Sequence, residues 1–212
     1  MAQRPKEEMR LAIVRAAADA FAEVGFERAA LAAIAAEAGT SIGNLYKYFS
    51  SKEELFAAAV PEDVADELAA RLTRRVEALG DARDVHALAE GHAYAAASED
   101  LLAFSIANRA PILFLLRHGR GTAHASFADD LARRLTKLAT AYASRAHGED
   151  PMTAPRRRAL ERFYRGFVAS LASILAEETT ARAIRAATTH LTTYHLAGLR
   201  SFFESRASTE DS

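Results

Sequence analysis

Apolar side chains recur at spacings of three and four residues along this chain, and that spacing restricts it to helical folds. Near the N-terminus, Ile13, Ala17 and Phe21 succeed one another at intervals of four, which places them on one face of a helix. No stretch alternates between apolar and polar residues with the period of two that a strand requires. The chain has only 10 glycines and 5 prolines among its 212 residues, which also favours helices. We therefore predict an all-α fold of about nine helices.

Helix boundaries follow one another closely in the N-terminal part of the chain. Gly25 and Gly39 are expected to end helices over residues 6–24 and 31–38. Ser41 has the side chain of an N-cap and predicts a third helix over residues 42–49. Since very few residues separate the second helix from the third, this pair is predicted to form a helix-turn-helix.

The later helices are delimited by further caps and prolines. Ser51 and Glu54 form a capping box that opens a fourth helix at residue 52, and Pro61 predicts a kink or break in it before it ends near residue 79. Pro111 is expected to kink or split a later helix. The remaining helices are predicted over residues 84–97, 100–117, 123–146, 156–178 and 181–205, with a linker over residues 147–155.

The third predicted helix carries polar groups on the side that faces away from the core. On a helical wheel Ile42, Leu45 and Phe49 share the inward side, which leaves a glycine, an asparagine and a lysine outside, flanked by two tyrosines. A glycine allows close approach to DNA, an asparagine can read a base edge, and lysine and tyrosine can bind phosphates. The residues expected to contact DNA are Thr40, Ser41, Gly43, Asn44, Tyr46, Lys47, Tyr48, Lys52 and Arg28.

An ordered string of residues surrounds this helix. It reads AGTSIGNLYKYF at residues 38–49 and SKEEL at residues 51–55, with Ile13, Phe21 and Gly25 upstream. In this order and spacing the segment resembles the first three helices of the tetracycline-repressor (TetR) family. That family usually has a threonine where its second helix opens, whereas this chain has Ala30 and Leu31, which removes one cap and one phosphate contact.

The resemblance implies a repressor with two domains. Residues 1–51 would form the DNA-binding domain, and residues 52–212 would bind a small effector and form a homodimer on a near-palindromic operator. Two long terminal helices with small residues such as Gly166 in their apolar stripes suit a four-helix dimer interface. The residues expected in that interface are Phe163, Phe167, Leu171, Ile184, Leu191, Tyr194, Gly198 and Phe202.

The effector is expected to be small and largely apolar, and to bind between the fourth and eighth predicted helices. Apolar cavities with a few polar anchors are the usual small-molecule sites. The residues expected to line this site are His92, Tyr94, Phe104, Asn108, Arg109, Phe114 and His118.

Charge and residue usage argue against several other functions. The 27 basic and 28 acidic residues nearly cancel, so affinity for DNA must come from local charge. The chain has no cysteine, its histidine pairs lack the spacing that metal binding on one helix face needs, and no catalytic motif occurs. We therefore expect no enzyme activity, cofactor or metal, and a cytoplasmic protein without a membrane span.

Two alternatives remain open at this point. The chain could be an all-helical small-molecule binding protein or enzyme that does not bind DNA. It could also be an activator, or a regulator without a ligand, with the same DNA-binding face. Salt-dependent DNA affinity separates the first alternative from the repressor.

Overall fold

The computed structural model describes residues 6–80, 82, 88–89, 91–147 and 152–204, and these residues contain helices and no strand. The all-α prediction is therefore confirmed for this part of the chain. The helices are α1 (Lys6–Arg28), α2 (Leu31–Glu37), α3 (Ile42–Leu45), α4 (Lys52–Ala59), α5 (Glu62–Glu77), α6 (Ala93–Ala107), α7 (Arg109–Arg117), α8 (Phe127–His147), α9 (Ala154–Glu177) and α10 (Ala181–Glu204).

The two predicted glycines lie at an interruption of α1 and just beyond the end of α2. Regular geometry in α1 is interrupted at Gly25, where φ is 81° and ψ is 166°, although one further turn follows. Phe26 folds back after this interruption, so that its ring centroid lies 5.8 Å from that of Phe21. α2 ends just before Gly39, whose φ is 72°. Positive φ favours glycine at both positions because a Cβ atom would be strained there.

α3 is shorter than predicted, and its inward face is narrower. Regular helix ends at residue 45, and residues 46–48 continue as turns that include i→i+3 hydrogen bonds. Leu45 and Phe49 are buried as predicted, but Ile42 is 44% exposed. The prediction for Ile42 was wrong because this residue opens the helix, and its side chain points back past the helix end instead of onto the core.

Two prolines separate helices, as predicted. α4 ends at Val60, whose φ of −128° and ψ of 73° are not helical, and α5 begins directly after Pro61. α6 ends one residue before Asn108, and Pro111 lies in the first turn of α7. Proline is tolerated in a first turn because the backbone N–H that it lacks has no partner there.

Several boundaries in the second half differ from the predictions. α6 begins at Ala93 and not near residue 100. The alanine-rich run between these two positions contains no helix breaker, so one helix continues through it. The start of the helix predicted over residues 84–97, and part of the predicted linker, lie outside the described residues. α8 begins four residues late, at Phe127, because the Thr122 hydroxyl donates to the carbonyl of Gly119 at 2.7 Å and holds a turn there.

The described residues form two compact units, and the first is larger than the predicted DNA-binding domain. It contains the described residues up to Leu68 together with Ala107–Ala128. α4 and α7 both pack against α1 in this unit. Its centre is an aromatic cluster in which the Phe56 centroid lies 5.3 Å from Phe21 and 5.0 Å from Phe114, both edge to face.

The second unit contains the described residues of Ala69–Ile106 and Asp129–Ser212. Helices α9 and α10 pack against each other in it. Its buried residues include Leu72 of α5, Leu135 of α8, Leu160 of α9 and Ile184 of α10. The helical stripes therefore meet around one apolar core.

Candidate nucleic-acid interface and ligand cavity

The turn between α2 and α3 is held by backbone and side-chain hydrogen bonds. The Thr40 N–H donates to the carbonyl of Ala35 at 2.9 Å, which closes the end of α2. The Ser41 hydroxyl accepts from the N–H of Asn44 at 3.2 Å, which confirms the predicted N-cap of α3. These bonds fix the angle at which α3 leaves the turn.

The outward side of α3 is open to solvent. Lys47 is exposed, and Tyr46 is 51% exposed. A Cβ atom added at Gly43 would meet no atom within 4 Å, and Gly43 has ordinary helical geometry. Nothing within the described chain therefore requires a glycine at this position. The exposed Ile42 adds an apolar group at the start of the same surface.

Asn44 is more constrained than the other polar groups of this surface. Its Nδ2 donates to the Thr40 hydroxyl at 2.8 Å, and its side chain is half-buried. This bond fixes the amide plane and leaves the Oδ1 acceptor and the second N–H of Nδ2 available. Tyr48, expected to flank the outward face, is also half-buried.

Two of the predicted phosphate-binding cations make contacts within their own unit. The Lys52 Nζ donates to the carbonyl of Glu27 at 3.2 Å and lies 4.8 Å from the ring centroid of Phe26. The Arg28 Nε donates to the carbonyl of Val24 at 3.0 Å. Each side chain retains further N–H groups that could meet a phosphate. Lys52 therefore joins the start of α4 to the end of α1.

The predicted capping box at the start of α4 is formed in part. The Ser51 hydroxyl accepts from the N–H of Glu54 at 3.0 Å, as predicted. The Glu54 carboxylate, however, accepts from the N–H and the hydroxyl of Ser50, both at 2.6 Å. These two hydrogen bonds lower the pKa of Glu54 and tie α4 to the residue that follows α3 closely in sequence.

Four residues predicted to bind the effector lie in the first unit instead: Asn108, Arg109, Phe114 and His118. Phe114 is fully buried against Phe56, so it belongs to the core. The His118 side chain lies beside Gly25 and the backbone of Ala22, near the end of α1. Burial lowers the pKa of His118, and the charge of Arg28 lowers it further. α7 packs on α1, and none of these four residues lines the cavity of the second unit.

The second unit contains a cavity of about 90 Å³. Of the residues predicted to line an effector site, only Tyr94 lines this cavity. Its wall consists of Leu72, Arg75, Val76, Leu79, Tyr94, Leu135, Ala139, Tyr142, Tyr164, Phe167, Thr192, His195, Leu196, Leu199, Arg200 and Phe203. Residues of α5 and α9, which correspond to the fourth and eighth predicted helices, therefore both contribute to it.

Sequence reasoning missed Arg75, Arg200 and His195, which are the charged and imidazole groups of this cavity. A signal was present, because Arg75 lies three residues after Leu72 and four before Leu79, in the register of the buried stripe of α5. His195 follows Leu191 by four residues in α10 in the same way. A charged or polar side chain inside an apolar stripe marks a position that faces a cavity or a partner.

The predicted dimer face is partly buried within the chain. Phe167 and Ile184 are only 8% and 2% exposed, so they belong to the interior of their own unit and are not free to contact a partner. Phe163 and Tyr194 are 52% and 80% exposed. Among the other predicted residues, Leu171, Leu191 and Phe202 are half-buried and Gly198 is exposed.

An exposed short helix behind a tight turn, with the preceding helix packed on α1, defines a helix-turn-helix DNA-binding module. This module also matches a known protein family. Residues 13–59 match the family described as bacterial regulatory proteins, tetR family. This segment of the chain is therefore similar to the DNA-binding domain of that family.

Two solved structures are similar to this chain over nearly its whole length. A TetR-like transcriptional regulator from Rhodococcus sp. RHA1 is 23% identical, with 95% of this chain and 97% of that chain covered and a TM-score of 0.47. A TetR-family regulator from Streptomyces coelicolor A3 is 18% identical, with 96% and 99% covered and a TM-score of 0.37. No curated protein sequence matches this chain.

None of the helices in the described part of the chain is both long and apolar enough to cross a membrane. Nor do three potential metal-binding side chains cluster among the residues described.

Proposed function

We propose that this protein is a ligand-responsive repressor that binds a near-palindromic operator as a homodimer. The observation that carries the proposal is the surface of α3. It has a glycine that the fold does not require, an oriented asparagine and an exposed lysine. A surface of this kind can enter a major groove, with Asn44 at a base edge and Lys47 at a phosphate.

Ile42 can also contribute to recognition of the operator sequence. It is 44% exposed at the start of α3, and recognition helices contact base edges with their N-terminal residues. An aliphatic side chain there can contact the methyl group of thymine. We therefore assign Ile42 to base recognition and Tyr46 to the phosphate backbone.

Dimerisation is proposed to occur through α9 and α10. Phe163 and Tyr194 are exposed apolar side chains on these two helices. Gly166 and Gly198 have open space where a Cβ atom would stand, so a partner helix can approach closely. Two copies of α3 held by such an interface would enter successive major grooves about 34 Å apart.

The cavity of the second unit is the proposed effector site. It is lined by Leu72, Arg75 and Val76 of α5, and α5 continues from α4 across Val60 and Pro61. An effector that shifts α5 would therefore act on a segment covalently joined to the helix that begins beside α3. A changed spacing of the two α3 helices would prevent both from binding one operator and would relieve repression.

The experiment begins with selection of an operator from randomised duplex DNA by the purified protein. Binding is then measured by fluorescence anisotropy for the wild type, Asn44→Ala and Lys47→Ala. Both variants should lose at least about tenfold in affinity, whereas Lys137→Ala, an exposed lysine on α8, should not. Unchanged affinity in both α3 variants would refute the assigned surface.

The same measurement tests the alternative of a small-molecule binding protein that does not bind DNA. A repressor with several phosphate contacts should lose affinity steeply as salt concentration rises. If no duplex is enriched by selection and no salt-dependent binding is found, the proposal fails and the alternative is supported. A reporter gene downstream of the operator then distinguishes repression from activation.

A further inference from the structure

The cavity of the second unit has two arginines, Arg75 and Arg200, in a wall that is otherwise aliphatic, aromatic or uncharged; Arg200 is paired with Glu204 at 2.8 Å, which leaves Arg75 as the arginine that carries the argument. No aspartate or glutamate occurs among the described residues that line it. We infer that this cavity binds a small organic anion, a carboxylate with an apolar body, and not a neutral apolar molecule. The inference rests on the proposed function only in treating the cavity as the effector site.

Arg75 makes only neutral contacts in the part of the chain that is described. Its Nε donates to the Ser98 hydroxyl at 2.9 Å, a terminal nitrogen donates to the Tyr94 hydroxyl, and its guanidinium carbon lies 4.8 Å from the Tyr94 ring centroid. The adjacent Arg74, by contrast, lies 3.7 Å from the carboxylate of Asp100. The charge of Arg75 is therefore not neutralised by a carboxylate among these residues.

A half-buried guanidinium that has no counter-ion among the described residues favours an anionic ligand. Removing a charge from water is costly unless a partner charge and hydrogen bonds compensate it. Arg75 uses two of its five N–H donors on hydroxyl groups. The remaining donors can bind a carboxylate, and the planar fork of arginine matches two carboxylate oxygens at once.

His195 supplies a second polar contact in the same wall. Its ring centroid lies 4.3 Å from that of Phe167 and 4.9 Å from that of Tyr164. Its Nε2 is buried and has no hydrogen-bond partner in the described part of the chain. Burial and the nearby charge of Arg75 lower the pKa of His195 to about 4, so its ring is neutral at pH 7. A neutral imidazole can donate to or accept from a ligand oxygen.

The size of the cavity limits the apolar body. Its volume is about 90 Å³, whereas a cavity of about 150 Å³ holds benzene and one of about 10–15 Å³ holds a water molecule. Aliphatic residues such as Leu72, Val76 and Leu196 also line the cavity. The cavity is therefore smaller than one that holds an aromatic ring, which favours a short-chain carboxylate.

The test measures binding by titration calorimetry with the full chain and no DNA. The probes are butanoate and pentanoate, compared with butanamide and pentanamide, which have nearly the same shape and no charge. Each carboxylate should bind at least about tenfold more tightly than its amide. Arg75→Met, which keeps an apolar stem, should abolish this preference, and Arg75→Lys should retain part of it. Arg74→Met is the matched control, because Arg74 does not line the cavity, and it should retain the full preference.

Equal binding of acids and amides, absence of carboxylate binding by the folded wild type, or an unchanged preference in Arg75→Met would overturn the inference. Thermal unfolding checks that each variant is folded, and the lysine variant keeps the test valid if Arg75→Met is unstable. Release of operator is measured separately by gel shift. Carboxylate binding without release would contradict the proposed regulation and leave the ligand class standing. Release of operator by the amides alone would contradict the ligand class and leave the proposed regulation standing.

Discussion

Substitution of Gly43 by alanine should separate the stability of the fold from its affinity for DNA. Gly43 lies in α3 with helical geometry, and a Cβ atom there would meet nothing within 4 Å. Replacing a helical glycine by alanine stabilises a helix by up to about 1 kcal/mol. For a chain of this size we expect the melting temperature to rise by about 2–4 °C per kcal/mol.

Operator affinity should change in the opposite direction. If the added methyl group keeps α3 from its full approach, each subunit loses at least one charge-assisted hydrogen bond, worth about 1.5–3 kcal/mol. Two subunits then lose about 3 kcal/mol or more, which is a decrease in affinity of at least about 100-fold. Fluorescence anisotropy with the selected operator measures this loss, and differential scanning calorimetry measures the stability.

Gly39→Ala is the matched control. It too would place a Cβ atom in open space, but the φ of Gly39 is +72°, which costs an alanine about 1–2 kcal/mol. This variant should therefore lower the melting temperature, unlike Gly43→Ala. If Gly43→Ala binds the operator as tightly as the wild type, the argument that this glycine serves DNA approach is refuted.

Three further predictions concern single side chains. Ala30 is exposed and caps α2 without a side-chain hydrogen bond, so Ala30→Thr should add about 1 kcal/mol of stability and tighten operator binding, both measurable by denaturation and anisotropy. Lys47→Ala should reduce the slope of log affinity against log salt by about 1 per subunit, while Lys137→Ala should leave it unchanged; equal slopes in the two variants would argue against a phosphate contact by Lys47. The pKa of His195 is about 4 in the folded protein, against an ordinary value of 6.5. Between pH 4 and 6.5 the unfolded state therefore binds more protons than the folded state. The free energy of unfolding should fall by at most about 3 kcal/mol as the pH drops from 6.5 to 4. His195→Gln should flatten this dependence in urea unfolding, and an unchanged pH profile would contradict the assigned burial.

Local signals in the sequence predicted the helix-turn-helix well. Gly25 and Gly39 adopt the positive φ expected of helix ends, and Ser41 and Ser51 cap the helices that they precede. These features depend on a residue and its neighbours within a few positions, which is the range that capping rules describe. The exception was Ile42, because a helical wheel does not account for the end of a helix.

Tertiary features were less accessible to such rules. The sequence placed Phe114 and His118 in a ligand site, but they lie in the unit that contains α1, since α7 packs there. Arg75 and Tyr94 are nineteen residues apart and meet through a side-chain hydrogen bond, a pairing that periodicity alone does not reveal. Apolar stripes indicate that a face is buried, but not which helix covers it.

The most direct test of the central claim is a titration of glycine-labelled protein with the selected operator, followed by nuclear magnetic resonance of the amide signals. The chain contains 10 glycines, of which Gly43 lies on the proposed DNA-binding surface and Gly198 lies far along the chain in α10. If α3 binds DNA, saturation with operator should shift or broaden the Gly43 signal much more than that of Gly198. An unchanged Gly43 signal in protein saturated with operator would contradict DNA binding by α3.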